Sequence, residues 1–95
     1  MKDVIYLTIL FDYYEKLLEE KDRECFKNYY FENLSLSEIA ENQGISRNAI
    51  HKRLKKIEDE LKLYEEKIGL YKKEQKILSL IEDNELKEKI KKILN

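Results

Sequence analysis

Between residues 43 and 57 the chain carries five cations, Arg47, Lys52, Arg53, Lys55 and Lys56, and no carboxylate. Asn48 and His51 are interleaved with them. These residue types suit recognition of a nucleic acid. An arginine fork donates two hydrogen bonds to guanine, an asparagine amide matches adenine, and lysines meet phosphates as point charges. Catalysis has far less support. His51 is the only histidine, and no serine or carboxylate stands at a spacing that makes a catalytic set with it. One cysteine, Cys25, and one histidine do not supply a zinc ligand set. The expectation is a binding protein, not an enzyme, with no cofactor and no metal. The bland alternative is a solvated helix face that docks another protein.

Such residues need a rigid mount. Residues 34 to 61, LSLSEIAENQGISRNAIHKRLKKIEDEL, have the form of a helix-turn-helix. Ser35-Leu36-Ser37-Glu38 is a capping box that starts a short helix at Leu36, with Ile39 and Ala40 facing inward. Gly44 supplies a positive φ in the turn at little cost. Ile45 plugs that turn, and Ser46 is a good N-cap for a second helix beginning at Arg47. Ile50, Leu54, Ile57, Leu61, Tyr64 and Ile68 then alternate steps of four and three. The second helix is therefore expected to reach Lys67, with Gly69 just beyond its end. The unit spans residues 35–67.

Turning Ile50, Leu54, Ile57 and Leu61 toward the core puts Asn48, Lys52 and Lys55 on the far side. His51 and Lys56 flank them, and Arg47 projects from the first turn. Arg47, Asn48, His51 and Lys52 are expected near bases, Lys55 and Lys56 near the nucleic-acid backbone. Ser46 and the helix N-terminus are expected near a phosphate. About five neutralised phosphates per subunit correspond to a log–log salt slope of roughly −4 to −5. Glu58, Asp59 and Glu60 should mark where the helix leaves the groove.

The whole chain has 95 residues, 42% hydrophobic and 41% charged, with no proline and two glycines. That composition predicts one all-α domain, too small for an enzyme-sized cleft and its scaffold. Residues 3–68 are expected to form a helical core, and residues 70–95 a C-terminal extension of short helices. Apolar spacing predicts a first helix over 3 to 19 and a second from Asp22 to about Phe31. Tyr14, Tyr29, Tyr30 and Tyr64 fall on or beside the apolar stripes, so they should pack with hydroxyls at the rim. Net charge is −1 and unevenly spread: residues 1–42 hold ten acids and five bases. A lone cysteine fits a reducing cytoplasm. The apolar run from Val4 to Phe11 is too short for membrane insertion. The stripe from Ile50 to Ile68 exceeds what one domain needs, and the C-terminal helices are too short to be stable alone; both predict subunits that bury them mutually in a two-fold homodimer.

At residues 22 to 57 the chain resembles region 4 of bacterial sigma factors, in which a helix ending in paired aromatics leads into a helix-turn-helix. The likeness widens from Leu10-Phe11-Asp12-Tyr13-Tyr14, through Tyr29-Tyr30-Phe31-Glu32-Asn33-Leu34-Ser35-Leu36, to Tyr64-Glu65-Glu66-Lys67-Ile68-Gly69-Leu70. That pattern is similar to the YlxM family of small helical DNA-binding proteins. The resemblance implies a sigma-region-4-like fold and double-stranded DNA as partner. It also implies a part in the signal recognition particle pathway, through contact with the particle's RNA or its GTPase. Two positions depart from the pattern. Gln43 replaces the usual apolar residue before the turn glycine, so a loosely packed turn is expected. His51-Lys52 stands where the family tends to an aromatic and an acid, making this helix more basic.

Overall fold

One long helix carries the core. In a computed structural model, which describes residues 3–95, the elements are α1 (Val4–Tyr14), α2 (Glu20–Tyr30), α3 (Leu36–Gln43), α4 (Arg47–Ile68), α5 (Leu70–Ser79) and α6 (Asn84–Leu94). Among the described residues there is no strand, and the all-α class holds. Ile50, Leu54, Ile57 and Leu61 of α4 are fully buried. They meet α1, α2 and α3. Burial of each such side chain stabilises by about 1.5–3 kcal/mol. Phe11 of α1 stacks on Phe26 of α2, ring centroids 4.3 Å apart. Leu7, Leu10, Cys25 and Ile39 close the same core.

The first helix is shorter than its apolar spacing predicts. It ends at Tyr14, and one 3-10 turn follows over Glu15–Leu17. Leu17 points largely to solvent while Leu18, in extended conformation, is buried. Periodicity continues past the point where the chain must reverse to lay α2 against α1. Arg23 serves that reversal by donating to the carbonyls of Glu15 (3.4 Å) and Leu18 (3.2 Å). The second helix opens at Glu20, two residues earlier than expected, so Asp22 lies inside its first turn and is buried.

Gly69 ends α4 and begins α5 with φ 70°, a conformation that costs other L-residues energy. The amides freed at this bend are satisfied from a distance. Glu65 accepts from the N–H groups of Tyr71 and Lys72, each at 3.1 Å. The Tyr14 hydroxyl donates to Glu65 at 2.7 Å and accepts from the Leu70 N–H at 2.9 Å. Burial, followed by the hydrogen bond to Glu65, pushes the Tyr14 phenol up to about 12. The bend turns α5 back onto α1 and α4, and α6 returns along α5. Glu74 of α5 is buried and accepts from the Tyr13 hydroxyl. Its desolvation raises its carboxyl above the usual range, against a smaller opposing effect of Lys91.

Two outcomes follow from these contacts. Glu65→Ala should cost about 2 kcal/mol in denaturant unfolding, whereas Glu66→Ala, on the exposed side, should stay within about 0.5 kcal/mol; equal effects would contradict the capping role. Ionised Glu74 opposes folding above its raised pKa, and the penalty fades as pH falls through that pKa. Glu74→Gln should therefore raise Tm at pH 7, with the gap to wild type closing toward pH 4. A gap that widens on acidification would reverse the assigned sign.

Candidate nucleic-acid interface

The mount for the basic residues is built from local signals. Ser35 Oγ accepts from the Glu38 N–H at 3.1 Å, and Glu38 accepts from the Ser35 N–H at 3.0 Å. Hydrogen bonding of the carboxylate by Ser35, its backbone N–H first and then its side chain, holds Glu38 below its ordinary range. Ile39 and Ala40 are buried as their spacing requires. Gly44 has φ 68°, and the Ile45 N–H returns to the Ala40 carbonyl at 3.1 Å, closing the end of α3. Ser46 Oγ then accepts from the Ala49 N–H at 3.1 Å and starts α4. With Ile50 and Leu54 docked, the azimuth of every outward residue is fixed.

Ser46, Arg47, Asn48, His51, Lys52, Lys55 and Lys56 are all exposed on this segment. Their charges are not equally available. Arg47 and Lys52 form no ion pair among the described residues. Lys55 pairs with Asp59 at 3.2 Å, one turn on, and both side chains stand in solvent. Such a pair is worth little and is readily exchanged for a phosphate. Lys56 is held differently. Its Nζ lies 3.1 Å from Asp22 Oδ2 and 3.5 Å from Glu60 Oε1. The hydrogen bond and charge of Asp22 raise its pKa, so it is firmly cationic but already partnered. The Ser46 hydroxyl oxygen caps the helix, and the first amides of α4 remain without intrahelical acceptors.

Three polar contacts were not evident from the sequence pattern. Arg53, on the flank facing α2, donates to Gln43 Oε1 and lies 3.8 Å from Asp22 Oδ1. Gln43 therefore does not leave the turn loose, because its amide is tied to α4. Asp22, buried at 4% exposure, gathers Arg53 and Lys56 onto α2. The only sequence hint was that Arg53 and Lys56 are three residues apart on one helix flank. Glu58 also departs from expectation. It is buried, with Tyr30 donating to it at 3.3 Å, so it takes no part in the boundary assigned to Glu58, Asp59 and Glu60. Burial, then the charge of Glu58, raises the Tyr30 phenol. Tyr14 is buried and Tyr29, Tyr30 and Tyr64 pack half-buried against the core, as their spacing predicts. The charged residues of α3 are Glu38 and Glu41, so α4 supplies the positive charge of the unit.

A short capped helix, a glycine turn and an exposed basic helix define a helix-turn-helix protein. The chain belongs to the UPF0122 family, described as "Putative helix-turn-helix protein, YlxM / p13 like", which matches residues 1–95. It is 46% identical over 80 residues to the UPF0122 protein of Caldanaerobacter subterraneus subsp. tengcongensis, covering 84% of this chain and 68% of that one. The UPF0122 protein of Symbiobacterium thermophilum is 40% identical over 83 residues, covering 87% and 78% of the two chains. That of Ureaplasma parvum serovar 3 is 44% identical over 91 residues, covering 93% and 92%. Among the described residues no helix is long and apolar enough to cross a membrane.

Asp22→Asn should release both cations at once. Unfolding should become easier by about 1–2 kcal/mol, since the partners are half in solvent. The salt slope of nucleic-acid binding should steepen by about one to two units as Arg53 and Lys56 become free. Destabilisation with an unchanged slope would show that the pair does not withhold charge.

Proposed function

We propose that this protein is a non-enzymatic DNA-binding regulator that places the first three turns of α4 in the major groove. One observation carries this reading: the acid-free basic face of α4 is exposed, with Arg47 and Lys52 unpaired, on a helix fixed by the core. Arg47 and Asn48, beside His51 and Lys52, meet base edges; Lys55 and the capped N-terminus at Ser46 meet phosphates. Lys56 contributes chiefly to positioning through Asp22. The protein acts as a homodimer, which doubles a contact that is small in one copy. A second reading rests on the resemblance to YlxM proteins and on the net negative charge of the whole chain. In it the chain is an adaptor in the signal recognition particle pathway, holding the particle's RNA or GTPase. Competition between duplex DNA and particle RNA separates the two.

Committing Arg53 and Lys56 to Asp22 leaves about three free cations to displace counterions, Arg47, Lys52 and Lys55, so the log–log salt slope should be near −3 rather than −4 to −5. Arg47→Ala should lose about 1–3 kcal/mol on a preferred sequence and little on others, whereas Lys55→Ala should weaken all sequences alike. Anisotropy titrations across a salt series read both. Salt-independent binding, or identical losses for both variants on every sequence, would contradict the roles given.

A further inference from the structure

The stripe of α4 is not the surplus that self-association requires. Leu61 is fully buried and Tyr64 packs on the core within one chain; only Ile68 at its end is exposed. Single open apolar residues stand on other elements, Ile5 and Phe31 among them, but the α5–α6 hairpin gathers several on two adjacent helices. Glu74 is the one buried residue of α5, and α6 buries none. Leu80 and Ile93 are each 82% exposed, and Ile77 and Leu86 are also open. On α6, Leu86, Ile90 and Ile93 fall within an arc of about 60° and form one strip, while Ile77 and Leu80 are the open apolar residues at the end of the adjacent α5. An eleven-residue helix is marginal in water without a partner for its apolar face.

We propose that this hairpin is the interface between two copies of the chain, packed about a two-fold axis with the hairpins antiparallel. It assigns the surface for the self-association part of the reading above and rests on that part, not on nucleic-acid binding. The charge pattern selects the occupant. The turn half of the hairpin, residues 77–88, holds Glu82, Asp83, Glu85 and Glu88 against Lys87, net −3. The open half, residues 70–76 and 89–95, holds six lysines against Glu74, net +5. A second copy running antiparallel sets each acidic end on the partner's basic end, whereas parallel packing opposes like charges. An anionic lipid surface would meet the acidic turn as well as the lysines, so it fits this face poorly. Two copies joined here form a four-helix layer that seals Ile77, Leu80, Leu86 and Ile93.

Light scattering of the full chain at tens of micromolar, without nucleic acid, tests this directly and leaves the DNA reading untouched. The expected mass is twice the 11.6 kDa of one chain. Leu80→Glu and Ile93→Glu should each raise the dissociation constant at least tenfold with unchanged helical circular dichroism, since both sites are open in one copy. Lys73→Glu/Lys76→Glu and Glu82→Lys/Glu85→Lys should each weaken self-association, and an equimolar mixture of the two should restore it. A monomer up to about 100 μM would overturn the proposal. So would dimers that survive both glutamate variants, failure of the charge-swapped mixture to pair, or binding to anionic vesicles by a chain that stays monomeric.

Discussion

The stripe of Ile50, Leu54, Ile57 and Leu61 on α4 is the constraint on which the rest of the molecule depends. All four are fully buried, and α1, α2 and α3 are each placed by packing on that helix. In a bare helix-turn-helix the second helix is a short appendage. Here it runs 22 residues through the whole core. The consequence is mechanical as well as energetic. The outward face of its first turns cannot rotate without moving the stripe, so Arg47, Asn48, His51 and Lys52 are presented at azimuths set by the core. A face on such a spine is pre-organised, so the proposed contact with nucleic acid would carry little ordering cost.

Charge is distributed around that spine by the same geometry. The basic segment is a run of five cations in sequence but not in space. Asp22 lies beneath the flank carrying Arg53 and Lys56 and draws both toward α2, while Arg47 and Lys52 project into solvent. The buried carboxylate thus locks α2 to α4 and narrows the positive face. With Glu38 and Glu41 as the charged residues of α3, the contact surface is small and depends on α4. A small surface of this kind gains from duplication, which is where the open apolar edge of α5 and α6 acquires meaning.

Features encoded by neighbours in sequence were legible before the fold was known. The capping box at Ser35, the left-handed Gly44 and Gly69, the cap at Ser46 and the α4 stripe all stand where spacing put them. Family membership was legible too, because the quoted flanks carry structural work. The Tyr64-to-Leu70 segment contains Glu65 and Gly69, which make the bend into α5. What was not legible is polar pairing across the fold. Asp22 and Lys56 are 34 residues apart, Tyr14 and Glu65 are 51 apart, and nothing local marks either pair. Local pattern misled in two places for one reason. Periodicity continues through Leu17 although the chain turns, and residue type alone grouped Glu58 with the exposed acids although Tyr30 receives it in the core. Tertiary packing overrode the local pattern in both.

In the proposed reading the exposed basic turns of α4, and no other surface, meet nucleic acid. Titration of the ¹⁵N-labelled chain with a short duplex, followed by amide shift mapping, tests it most directly. Shifts should concentrate between Ser46 and Lys55 and fall away beyond Asp59, with the amides of α5 and α6 unmoved. Shifts centred on α1 or on the α5–α6 hairpin, or none at all at low salt, would contradict it.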